Sequence, residues 1–328
     1  MKNNTQLAGI ILCLIACISW GAMFPVADHA LTYIDPLFFT LIRYGSVTLL
    51  LVIILFIKEG KTAFRFEGKF FTLLIFGVAG FTVYNILIFL GQHMMGRSGV
   101  VVASIMESIM PMLSILIIWI YKKIKPENYQ FITISCAFIG AFIVVTNGSA
   151  DFASILTTNL FPILFMLIAV IGWCIYSMGG ESVKDWSTLR YSTLTCLLGT
   201  ITTGLITLVA TAFHIIDVPS LEVIYQVRYD MTFMILFPGL IALLAWNKGI
   251  KILSPVSGIL FINFVPVTTL VVVMLQGHPI SLYEVFGTAL VIYALTQNNL
   301  YQRKQQNKTI KQMSLDHSRY YEKRSKIH

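Results

Sequence analysis

Glu107 is an acid where acids are costly. It falls close to the midpoint of a long apolar run over 98–120, and a charge at the centre of a bilayer costs roughly 2.5–3.5 kcal/mol on insertion scales. At helical spacing it shares a stripe with Ser104, Ser108, Pro111 and Ser114, a polar, small-residue face that suits protein or water better than lipid. A carboxyl group there is placed to carry a proton or to hold a substrate amine. A permanently neutral carboxyl tying two helices together is the structural alternative. Asn85, inside the run 70–93, and Asn263, inside 255–275, add groups that both donate and accept; interhelical bonding explains Asn263 equally well. Trp20 and Trp173, with Trp246 beside Asn247, offer aromatic surface that holds apolar bodies and stacks on amines, although many membrane tryptophans simply anchor at the lipid interface. Pro111 and Pro266 each remove a backbone hydrogen bond within an apolar run, which breaks or bends a helix there.

The elements that must position these groups are membrane helices. Of 328 residues 57% are hydrophobic and 12% are charged, about half the charge of a soluble domain. Ten apolar runs have roughly the twenty residues that a bilayer requires: 7–27, 36–57, 70–93, 98–120, 128–147, 160–180, 188–213, 231–248, 255–275 and 281–300. Without water to satisfy backbone groups they must be helices, and unbroken runs such as Leu49 to Leu55 exclude the alternating strands of a β-barrel. With the N-terminus inside, twenty of the 23 Lys and Arg residues lie on the cytoplasmic side, leaving Arg97 and Arg228 outside and Arg43 within a helix. The net charge of +8 therefore reports topology and is not a nucleic-acid footprint. Arg43 lies a couple of turns below the outer surface, placed to snorkel or to pair with Asp35. The first run is read as a retained span, since no A-x-A-like site follows it. Cys13, Cys17, Cys136, Cys174 and Cys196 all fall inside predicted helices and read as packing residues.

The chain also repeats itself. Leu14 to Trp20 is echoed by Leu167 to Trp173, Arg43-Tyr44 by Arg190-Tyr191, and Pro111 by Pro266. Each copy holds five runs, an odd number, so the second must enter the membrane from the opposite face. The expectation is an all-α integral membrane protein of ten transmembrane helices as two inverted five-helix repeats, residues 1–150 and 151–300. A basic, mobile cytoplasmic tail over 301–328 follows, and it is suited to anionic lipid. The acid is not duplicated, so the pathway is chemically asymmetric.

No phosphate-binding loop, H-E-x-x-H or G-x-S-x-G motif is present, which argues against ATP hydrolysis and against membrane protease or hydrolase chemistry. An enzyme reading and a cofactor are not called for. The pieces Ala16-Cys17-Ile18-Ser19-Trp20-Gly21, Ala169-Val170-Ile171-Gly172-Trp173, Pro36 to Arg43, Ala103 to Pro111, Trp246-Asn247-Lys248-Gly249 and Ser254 to Pro266 resemble the drug/metabolite transporter superfamily. More narrowly, they look like its ten-helix EamA-type branch. The resemblance covers nearly all of 7–300 and leaves the tail unmatched. It implies a basket of ten helices with both termini cytoplasmic in the cell membrane, and a central cavity. It also implies electrochemically driven efflux of amino acids or related metabolites, and it makes Trp20, Asn85, Glu107, Trp173, Tyr176, Trp246 and Asn263 candidates for the cavity wall, with Ser104 on the Glu107 stripe. The expected partners are a small-molecule substrate and membrane lipid. A non-transporting scaffold or accessory subunit is the alternative, distinguished by a dry interface between the repeats.

Overall fold

The computed structural model describes residues 2–123, 125, 127–147, 152–253, 261–262, 264–277, 279–294, 296–298, 300–301 and 304. Among them every regular element is helical. In chain order the longer helices are α1 (Lys2–Leu31), α2 (Pro36–Glu59), α3 (Phe70–Met95), α4 (Arg97–Ser108), α5 (Met110–Lys122) and α6 (Asn128–Thr146). The second half adds α7 (Phe152–Gly179), α8 (Thr188–Ala212), α9 (Arg228–Leu253), α10 (Phe264–Leu275) and α11 (282–294). Their starts are written in the sequence. Asp35 accepts from the Leu37 N–H at 2.8 Å with Pro36 opening α2, and Ser187 accepts from the Arg190 N–H at 2.9 Å to cap α8.

Among the described residues seven helices are long and apolar enough to cross a membrane: α1, α2, α3, α6, α7, α8 and α9. The other three of the ten expected runs are not described as one long helix. The run 98–120 is divided at Ile109 into α4 and α5, because Pro111 has no N–H to carry a helix through that turn. The run 255–275 is represented by α10, which begins at Phe264 with Pro266 in its first turn; residues 254–260 and 263 lie outside the described residues. Of 281–300, α11 covers the greater part, and Leu295 and Asn299 lie outside. So does nearly all of the expected tail.

The two halves interleave. Gly9 faces Leu253 and Gly249 faces Cys13, so α1 and α9 run antiparallel. Gly80 faces Tyr176 and Gly179 faces Phe76, which sets α3 antiparallel to α7. Thr48 bonds Thr200 at 2.8 Å and Thr193 bonds the Leu51 carbonyl at 3.5 Å, pairing α2 with α8 in the same sense. Gly140 meets Val291 while Tyr129 bonds Gln297, pairing α6 with the last helical segment. Large side chains such as Leu49, Phe71 and Leu208 point outward, as lipid-facing surfaces require.

Two helices carry a wide, π-type turn, Val78–Val83 in α3 and Ile235–Ile241 in α9. Such turns free backbone carbonyls and are frequent at functional sites. Pro238 accounts for the second. In the first, the Asn85 amide donates to the Gly80 and Phe81 carbonyls at 3.0 and 3.3 Å.

Candidate functional site

The proline in α9 starts the site. Pro238 has no N–H to give the Met234 carbonyl four residues back, and Nε of Arg43 donates to that carbonyl from α2 at 3.2 Å. One turn along, Nε1 of Trp20 donates to the carbonyl of Pro238 itself at 3.2 Å. Thus side chains of the first half satisfy a break in a helix of the second.

Arg43 is buried, only 1% exposed. Its Nη1 donates to Oδ1 of Asn85 at 3.3 Å and its Nη2 to the sulfur of Met23 at 3.3 Å. The guanidinium also lies 4.8 Å from the Tyr44 ring centre and 5.6 Å from that of Phe89. Snorkelling and pairing with Asp35 were the expectations for this residue, and neither occurs: Asp35 is spent on capping α2. Arg43 points inward, where the Met234 carbonyl, Asn85 and Met23 all accept from it. The next position on α3 carries the second contact. Tyr84, beside Asn85, donates its hydroxyl to Glu107 Oε1. Glu107 is itself buried, one residue before the break that ends α4. Of its expected stripe, Ser104 is buried and donates to the Val101 carbonyl at 2.7 Å, and Ser114 donates to that of Met110 at 2.9 Å. The side chains of Ser108 and Pro111 lie outside the described residues, as does Asn263.

The aromatic candidates converge. The Trp20 ring meets Trp173 edge-on at 5.6 Å and Trp246 at 5.3 Å. Trp173 in turn meets Tyr84 and Tyr176, both at 5.0 Å. Such pairs are worth about 0.5–1.5 kcal/mol each beyond area burial, so the layer is cohesive. Asn247 donates to the Tyr176 hydroxyl at 3.1 Å and to Ser192 at 2.9 Å. Among the described residues, buried Nε1 of Trp246 meets no acceptor. Trp20, Asn85, Glu107, Trp173, Tyr176 and Trp246 therefore form one continuous cluster. The sequence reading missed Arg43 as a member, and it missed Tyr84 as the donor to Glu107. An arginine inside an apolar run was the available signal, and it was masked by a proximity to Asp35 that proved irrelevant.

The EamA-like transporter family matches residues 7–146 and again 160–299. The chain belongs to the EamA-like transporter family. The uncharacterized transporter YrdR of Bacillus subtilis is 54% identical over 312 residues, covering 95% of this chain and 97% of that one. The uncharacterized transporter YyaM of the same organism is 27% identical over 273 residues, covering 83% and 87%. A crystal structure of a protein 17% identical in sequence superposes with a TM-score of 0.63 over 93% of this chain and 99% of its own, which shows a common fold. This is a multi-pass membrane protein of a transporter family.

Within the EamA-like pair of domains the cluster is shared, Trp20, Arg43, Tyr84, Asn85 and Glu107 coming from the first and Trp173, Tyr176, Trp246 and Asn247 from the second. Clefts approach it from opposite ends of the bundle. One, of about 280 Å³, is lined by Lys184, Trp186, Ser187, Tyr191, Asn247 and Lys251. Its inner wall is the Tyr191–Asn247 pair that bonds Tyr176. The other, of about 360 Å³, lies between Asp28, Arg97, Asn147 and Glu284. Neither is lined by Asn85 or Glu107.

Beside the first cleft the EamA-like domains are clasped together. Arg190, the repeat mate of Arg43, donates to Glu67 at 2.7 Å and lies 3.7 Å from the Trp186 ring centre, while Trp186 Nε1 donates to Glu67 at 3.0 Å. Lys69 adds a bond to the Ser182 carbonyl at 3.0 Å. The bond from Arg190, then that from Trp186, holds the Glu67 carboxyl below its ordinary range. A depressed pKa means the clasp is at full strength above that range and is lost as pH falls through the lowered value. Acrylamide access to Trp186, taken as the difference between wild type and Trp186→Phe, is expected to rise only at pH below that of an ordinary glutamate. A rise centred on the ordinary value contradicts the clasp.

Proposed function

We propose that this EamA-like protein is a proton-linked secondary transporter of the cell membrane that exports small amphipathic metabolites, such as amino acids, by alternating access. The observation that carries this reading is the shared centre, where the repeat mates Trp20 and Trp173 meet above a buried acid. Transport by rocking one repeat against the other requires the substrate site to lie between them. The clefts at opposite ends, separated by a layer of rings, suit a protein closed to both sides between two open states.

The same reading takes the chain as ten crossings in two inverted five-helix units, with α4 plus α5 as one broken crossing and α10 and α11 as the last two. The helix pairing supports it. An axis in the membrane plane that exchanges the first and sixth crossings also exchanges the third and eighth, and so turns the α1–α9 pair into the α7–α3 pair. It maps α2–α8 and α6–α11 onto themselves. All four pairs are antiparallel. Both termini are then cytoplasmic, which agrees with the Lys and Arg distribution. Labelling of cysteines introduced at Gly148 and His328 is expected to place them on opposite sides.

The test of function is a comparison of metabolites in the medium of cells lacking and cells overproducing the protein, with and without a protonophore. The reading expects a small set of amphipathic compounds to rise with overproduction and to lose that rise when the proton gradient is dissipated. That neither cleft reaches Asn85 or Glu107 is the one feature that favours a non-transporting scaffold, and that alternative expects identical media.

A further inference from the structure

The chain between α8 and α9 turns at a membrane edge, because both helices are long and apolar enough to cross. It does so at the end away from the Arg190–Glu67 clasp, where α8 begins. Its side chains point the wrong way for water. Phe213, Ile215, Val218, Leu221 and Tyr225, with Tyr229 in the first turn of α9, are each at least 67% exposed, as bare as the outward Leu208 of α8 at 65%. An apolar patch of that extent calls for a partner. The exposure is also ordered. In the short helix Leu221–Gln226, Val223 and Ile224 pack on the core, while Leu221 and Tyr225 share one outer face and Glu222 and Gln226 the next. The guanidinium of Arg228 lies 3.8 Å from the Tyr225 ring centre and 4.3 Å from that of Tyr229, which holds both rings in place. The turn between α2 and α3 at the clasp end is built differently: Lys61, Arg65, Glu67 and Lys69 lie along it, and Glu67 and Lys69 bond the second EamA-like domain.

We infer that residues 213–229 form an interfacial anchor that lies in the lipid headgroup layer, with Leu221, Tyr225 and Tyr229 turned into the acyl boundary and Glu222 and Gln226 turned to water. The surface beside it identifies lipid as the occupant. Leu205, Val209 and Phe213, spaced at four residues along α8, form an exposed row that runs from the spanning helix straight into the turn. Tyrosine suits that level because its ring is apolar and its hydroxyl stays wet. An amphipathic segment so placed sits about 5–10 Å into the boundary. Asp217 and Glu222 outnumber Arg228 along it, so apolar burial, and not attraction to an anionic leaflet, drives the contact. The anchor holds the start of α9 at the membrane surface, where Asp230 meets His29 at the end of α1 at 2.8 Å. It stands whether or not the protein transports.

The test attaches a nitroxide to the single variants Leu221→Cys, Tyr225→Cys, Glu222→Cys and Leu208→Cys of the full-length protein. Each also carries Cys136→Ser, since the other native thiols are buried. All four labelled positions are exposed, so the substitutions disturb no packing. In phosphatidylcholine vesicles, collision rates are read with oxygen, which partitions into lipid, and with a nickel chelate, which stays in water. The labels at Leu221→Cys and Tyr225→Cys are expected to approach the oxygen-to-nickel ratio of Leu208→Cys, severalfold above that of Glu222→Cys. Replacing part of the phosphatidylcholine by phosphatidylglycerol is expected to leave these ratios unchanged. Labels at Leu221→Cys and Tyr225→Cys as open to nickel as Glu222→Cys overturn the anchor. Lipid contact that appears only with phosphatidylglycerol overturns apolar burial as its cause. Spin–spin broadening between molecules labelled at Leu221→Cys overturns lipid as the occupant and assigns the face to a second copy of the chain.

Discussion

Glu107→Gln is expected to give a folded protein whose transport no longer responds to a proton gradient. The amide oxygen of Gln can still accept the Tyr84 hydroxyl, and the side chain has the same shape, so the contact between α3 and α4 survives. What is lost is the ability to take up and release a proton. In sealed vesicles the gradient-driven flux of the exported compound should fall to that of vesicles without the protein, while downhill exchange of labelled for unlabelled compound persists. Tyr84→Phe should behave differently, because it removes the donor and keeps the acid. It is expected to shift the pH dependence of flux without abolishing it. Flux through Glu107→Gln that still follows the proton gradient would remove Glu107 from the coupling role.

Much of this arrangement could be read from the residues alone, and what could not has physical causes. Trp20, Trp173 and Glu107 were legible because a buried acid and a duplicated aromatic motif are exceptional in an apolar chain. Arg43 was not legible as a central residue. Its direction is decided by acceptors on other helices, the Met234 carbonyl, Asn85 and Met23. Pro238 is visible in the sequence, but not that α9 absorbs it within a widened turn. Likewise Tyr84 acquires its role from a residue of another helix, Glu107, and hydropathy carries no information about that partner. The count of crossings suffered from the reverse problem. An apolar run of the right length over 98–120 says that a segment crosses, and it does not say whether one continuous helix does so.

The largest loss of stability is expected from a single methyl group at Gly77. A Cβ there would lie 2.4 Å from the Thr195 carbonyl oxygen and 3.1 Å from the Gly199 nitrogen, and one on Gly199 would lie 2.4 Å from the Gly77 carbonyl oxygen. These are backbone atoms of α3 and α8, so no rotamer change relieves the clash; the helices must separate. Ordinary overpacking of a core costs about 1–3 kcal/mol, and Gly77→Ala should reach or exceed the top of that range because α3 and α8 cannot part without disturbing what α3 carries. Tyr84 and Asn85 sit on the same helix beyond its wide turn, so the separation is transmitted to the Glu107 and Arg43 contacts. Gly45→Ala provides the comparison, since nothing lies within 4 Å of its would-be Cβ. Thermal unfolding and size-exclusion profiles in detergent should show Gly77→Ala melting well below wild type or aggregating, and Gly45→Ala unchanged. Equal behaviour of the two variants would mean that the close approach of α3 and α8 is not what holds the halves together.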